Sequence, residues 1–113
     1  MTDIQRVALP LLEVTVGATN SAEADPVDFR FASGGIVHVP SAFATAATFV
    51  FYVNDTAVHD ESYWPLYDSD GGPVQITVAA GKSYELPGAL FAAKFFRIVN
   101  AAGAGDVTLD LKG

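Results

Sequence analysis

Near the C-terminus, Val107, Leu109 and Leu111 alternate with Thr108, Asp110 and Lys112. Successive side chains on an extended strand point to opposite faces, so a period of two makes one face apolar and the other polar. The pattern recurs upstream: Val27, Phe29 and Phe31 alternate with Asp28 and Arg30, and Val74, Ile76 and Val78 with Gln75 and Thr77. Ile36-Val37-His38-Val39 follows Gly34-Gly35 and stops at Pro40, and Phe95 to Val99 makes a further run. Gly, Pro, Asn and Asp stand between the runs, as turns require. Thr48 to Val53 (TFVFYV) is apolar on both faces. That predicts a central strand packed on both sides, or one with a face covered by another subunit.

Helical signals are confined to 88–93, after Pro87, and to 41–47. Each has room for one turn and is too short to organise a fold. The expected class is therefore all-β, an antiparallel, jelly-roll-like β-sandwich of roughly seven to nine short strands. A chain of 113 residues suits one domain. Within it, 1–26 reads as an N-terminal arm that includes a first strand at Glu13-Val14-Thr15-Val16 and a turn-rich loop from Gly17 to Pro26. Residues 27–113 read as the sandwich.

Thirteen acidic against six basic residues give a net charge of −7. Such a surface repels phosphate, which argues against nucleic acid and anionic membranes as partners. No run approaches the roughly 18 apolar residues of a membrane helix. The absence of cysteine excludes disulfides and thiolate metal sites. The N-terminal residues lack a secretory pattern, so cytoplasmic synthesis is expected. Half the residues are hydrophobic, with alanine clustered at Ala42, Ala44, Ala46 and Ala47 and at Ala101, Ala102 and Ala104. Two readings stand: small-residue packing in loops, or apolar surface covered by a partner.

Few residues suggest chemistry. Asp68-Ser69-Asp70-Gly71-Gly72 begins like a calcium loop, which makes Asp68 and Asp70 weak metal candidates. The twelfth position, where an EF-hand needs glutamate, is Ala79, and Asp and Gly are equally the residues of an ordinary turn. Asp60 and Glu61 precede Tyr63, Trp64 and Tyr67, but adjacent strand residues face opposite ways and make a poor glycosidase pair. The three aromatics could stack on sugar rings, or Trp64, Pro65 and Leu66 could plug the sandwich edge. His38 and His59 lack metal-ligand spacing, and no serine sits in a Gly-x-Ser-x-Gly elbow. Gly34-Gly35 and Gly71-Gly72 lack the context of a phosphate-binding loop. The expectation is a non-enzymatic protein without a cofactor that works through its surface. Its interface candidates are Phe49, Phe51, Tyr52, Tyr63 and Trp64.

From Ser33 onward the order of features matters more than any single piece. It runs through Gly34 to Pro40, Phe49-Val50-Phe51-Tyr52-Val53 and Trp64-Pro65-Leu66-Tyr67-Asp68-Ser69-Asp70-Gly71. It continues through Tyr84-Glu85-Leu86-Pro87, Phe91 and Phe95-Phe96-Arg97-Ile98-Val99-Asn100, and ends with Val107 to Gly113. This order resembles the small β-sandwich structural proteins of tailed bacteriophages, of the capsid decoration or cement kind. The resemblance implies a place on the outer surface of a virion and the major capsid protein as partner. It also implies a homo-oligomer, a trimer among the options, and shell stabilisation as the role. Residues before Pro26 are then expected to dock on the capsid. A carbohydrate-binding sandwich displayed on a virion is the alternative, with Tyr63, Trp64 and Tyr67 as its platform.

Overall fold

The computed structural model describes residues 11–18, 24–43, 47–54 and 63–113. The described residues form nine strands: β1 (Leu12–Val16), β2 (Val27–Asp28), β3 (Gly34–His38), β4 (Ala47–Asn54), β5 (Trp64–Pro65), β6 (Gln75–Val78), β7 (Ser83–Glu85), β8 (Phe95–Val99) and β9 (Gly105–Lys112). They form two antiparallel sheets. Sheet A has the order β1-β9-β3-β7, and sheet B runs β2-β8-β4-β5, with β6 also paired to β4.

β5 and β6 lie end to end along the same edge of β4. Tyr52 and Val53 pair with Pro65 and Trp64, whereas Ala47 to Val50 pair with Val78 to Gln75. Counted as one interrupted strand, they leave eight positions whose pairing is nested. First meets last (β1 and β9), second meets seventh (β2 and β8), third meets sixth (β3 and β7), and β4 meets β5–β6. Two further pairings, β3 with β9 and β4 with β8, complete the sheets. Nested pairing across two sheets is the jelly-roll arrangement, so the expected class holds.

The core follows the period-two pattern. Val14 and Val16, Val37 and Val39, Phe49 and Phe51, Phe96 and Ile98, and Val107, Leu109 and Leu111 all point between the sheets. Phe96 is central there, meeting Phe29 and Phe51 edge to face with centroids 5.4 and 5.8 Å away. Such aromatic pairs contribute about 0.5–1.5 kcal/mol each beyond the area they bury. The buried positions of Phe49 and Phe51 correct their reading as interface residues: their rings are core and cannot meet a partner.

β1 is an edge strand of sheet A in register with β9. After Val16 the chain crosses to sheet B, where Gly17 donates to the Ile98 carbonyl and accepts from the Asn100 N–H. Asp25 turns the chain back: its carboxylate accepts the Thr15 N–H while its own N–H donates to the Thr15 carbonyl. The part of 1–26 seen in the structure is therefore built into the sandwich. Residues 1–10 and 19–23, the remainder of the expected docking arm, lie outside the described residues.

Two local expectations change. β2 ends at Asp28, because the Asp28 carboxylate accepts the Arg30 N–H and the Ala32 N–H closes a turn onto the Phe29 carbonyl. Phe31 therefore leaves the face it would share with Val27 and Phe29. The expected turn after Pro87 is a 3₁₀ helix, Gly88–Ala92, whose Leu90 is fully buried. Residues 44–46 of the other possible turn lie outside the described residues.

Gly35 tests the packing. A β-carbon there would lie 2.8 Å from Leu111 Cδ2 and 2.9 Å from the Asp110 carbonyl oxygen, whereas one at Gly34 meets nothing within 4 Å. Gly35→Ala is expected to destabilise the fold by about 1–3 kcal/mol, and Gly34→Ala to stay within about 0.5 kcal/mol. Chemical denaturation of the two variants measures the contrast, and equal losses would contradict it.

Candidate functional site

Among the described residues, five large hydrophobic side chains are exposed: Leu11, Phe31, Trp64, Tyr67 and Phe91. Four of them fall on two surfaces.

The first is a hairpin that projects where β4's partner strand is interrupted. The Leu66 N–H donates to the Phe51 carbonyl, the Phe51 N–H to Val74, and the Val74 N–H to Leu66. Three backbones thus meet at one point, and the chain between 66 and 74 is pushed out of the sheet. Tyr67 bridges Pro73, and the Asp68 N–H donates to the Gly72 carbonyl. Asp68 Oδ1 accepts the N–H groups of Asp70 and Gly72, each at 2.9 Å, and Gly71 takes a φ of 85° that favours glycine. The expected turn is present and ordered by its own aspartate. One of the Asp68 oxygens that calcium would need is occupied by the loop's own amides. No cluster of three or more metal-ligating side chains occurs among the described residues. At the base of this hairpin Trp64 is 71% exposed, and on it Tyr67 is 56% exposed.

Tyr63 goes elsewhere. It is buried, with its ring centroid 4.1 Å from the guanidinium carbon of Arg97. Arg97 lies on β8 opposite Tyr52 and points away from the core, yet it is fully buried. A cation over an aromatic face gains about 2 kcal/mol or more when both are removed from water. Tyr63 is thus an internal cover for a charge, and this corrects its reading as an interface or sugar-stacking residue. Tyr52, half-buried beside Arg97 on the same outer face, offers less surface than the sequence implies.

The second surface lies between the β2–β3 turn and the segment after the 3₁₀ helix. Residues 29–32 and 91–94 line a groove of about 500 Å³. Phe31, 75% exposed, and Phe91, 63% exposed, flank it, with Arg30 and Lys94 beside them. The Phe29 N–H donates to the Lys94 carbonyl and ties the two walls together. Arg30 is held by Asp28 through Nε and Nη2, at 3.0 and 2.8 Å, and its guanidinium sits 5.0 Å from the Phe95 ring. Two of the chain's six basic residues, Arg30 and Lys94, thus lie where two phenylalanines are exposed.

Period-two reasoning missed this groove, because it turned Phe31 inward. The signal that could have found it is Asp28-x-Arg30, an aspartate placed to bend its own chain two residues on.

The remaining candidates are placed as follows. His38 is half-buried on the outer face of sheet A, its Nδ1 2.6 Å from Ser83 Oγ across the strand pair. His59, Asp60 and Glu61 lie outside the described residues. No helix among the described residues is long and apolar enough to cross a membrane.

No family model matches the chain, and comparisons with curated proteins and with solved structures find no match.

The hydrogen bonds from Arg30 hold the Asp28 carboxyl below its ordinary pKa of 3.8, with the Arg30 charge adding to the effect. A carboxyl depressed in the folded state adds stability above its unfolded pKa, and that stability is lost as the pH falls through the folded value. The NMR titration midpoint of Asp28 should therefore lie below 3.8 and move back toward it in Arg30→Gln. An unchanged midpoint would contradict the pairing.

Proposed function

We propose that the chain is a non-enzymatic structural protein of a virion, a decoration protein that binds the outer surface of a bacteriophage capsid and stabilises the shell. The observation that carries this reading is the aromatic hairpin. Tyr67 is presented to solvent on a loop whose tip is already fixed by Asp68, and Trp64 at the loop's base on β5. Interfaces concentrate their energy in such aromatic anchors. Ordering the loop in advance removes part of the entropic cost of binding.

Two further features agree. The jelly roll recurs in viral shell proteins, although a fold alone hosts many functions. A net charge of −7 suits a position away from packaged nucleic acid. Multiple copies on a repeating lattice turn a weak contact into stable attachment. The partners on this reading are the major capsid protein and other copies of the chain.

Trp64 and Tyr67 also favour a second reading, a carbohydrate-binding sandwich, in which the two rings stack on sugars. With Tyr63 engaged by Arg97, the platform is reduced to two rings.

Co-sedimentation with assembled capsid shells separates the two. The structural reading predicts saturable binding at a fixed ratio to the major capsid protein, weakened about tenfold or more by Trp64→Ala. Absence of shell binding would contradict that reading. Glycan-array binding that Trp64→Ala abolishes would establish the second.

A further inference from the structure

We propose that the chain associates with itself head to tail, the hairpin 66–74 of one copy seating in the groove between 29–32 and 91–94 of the next. This goes beyond the shell reading and does not depend on it: the hairpin tip and Tyr67 meet the next copy, while Trp64 on β5, outside 66–74, is left for the shell.

Charge complementarity selects a second copy as the occupant. Residues 63–78 carry Asp68 and Asp70 and no lysine or arginine, whereas 29–32 and 91–94 carry Arg30 and Lys94 and no acid. Arg30 spends Nε and one Nη2 hydrogen on Asp28, which leaves other guanidinium donors for a visiting carboxylate. Lys94 has no acidic partner among the described residues. Asp68 binds the loop with Oδ1, and Asp70 is exposed at the tip.

The apolar parts also match. Tyr67 stands on the hairpin, and Phe31 and Phe91 flank the groove, so each copy brings an exposed aromatic group to the contact. Burying all three removes apolar surface that a monomer leaves in water. Both walls are preformed: the hairpin by its internal hydrogen bonds, the groove by the bond from Phe29 to Lys94. The hairpin does not line the groove of its own chain, so a separate copy supplies it.

Knob and groove are different surfaces, which makes the contact heterologous. Repetition of such a contact closes a ring if the rotation permits and otherwise builds an open chain. The contact is small and rests partly on exposed charges, so it weakens as salt screens them.

Sedimentation velocity of the full chain over a range of concentrations and salt tests this. Wild type is expected to form oligomers that dissociate at high salt. Tyr67→Ala spoils the knob and Phe91→Glu spoils the groove, and each should weaken self-association about thirtyfold. An equimolar mixture of the two should form a one-to-one dimer and stop there, because one intact knob meets one intact groove. Asp70→Lys and Lys94→Glu should each abolish assembly alone and restore it when combined in one chain. All four positions are exposed, and unchanged circular dichroism checks the fold. A wild type that stays monomeric, single variants that assemble like wild type, or a mixture that fails to pair would each overturn the proposal.

Discussion

Arg97 is a charge without access to water in the middle of a sheet, and much of the molecule is arranged around it. β8 lies between β2 and β4, and all five of its residues are buried. Phe96 and Ile98 face the core, which leaves Phe95, Arg97 and Val99 on the outer side of sheet B. A guanidinium there is tolerated only if the chain wraps it, since desolvating an ion costs several kcal/mol unless partners compensate. Tyr63 supplies one such partner, held in place by the pairing of Trp64 and Pro65 with β4. Part of sheet B's outer face is thus closed by the chain itself.

Sheet A is built the other way. Glu13, Thr108, His38 and Ser83 line up across its four strands on the solvent side, with Asp110, Ile36 and Glu85 in the next row. Strands that face water on one side alternate cleanly, and β9 does so from end to end. With sheet A polar outside and sheet B covered around Arg97, the exposed aromatic surface is pushed to the periphery. It collects on the hairpin and at the groove.

How much of this was legible in the sequence depends on the period. Where one face is core and the other water, as in β9, alternation places every side chain. Where the second face is buried too, as in β8, or half-buried, as in β4, it cannot say which residues are available, and for that reason it does not separate Phe49 and Phe51 from an exposed pair. Arg97 carried a usable signal, since a lone cation between Phe95 and Val99 on one strand face implies that the face is covered. The pairing of β1 with β9, 91 residues apart at Thr15 and Asp106, left no local trace. Asp68 was legible as a turn former. Its two bonds to backbone amides, and the projection of its hairpin from a broken strand, come from tertiary context.

These features describe a rigid frame that displays two small aromatic surfaces of opposite charge, and the proposed role rests on display rather than on reaction. The most direct measurement is cryo-electron microscopy of intact virus particles assembled with the chain present. The account predicts jelly-roll density on the outer surface of the shell, repeated with the lattice, with Trp64 and Tyr67 inside a contact. Particles devoid of the chain, with the protein left as a free monomer in the cytoplasm, would contradict it.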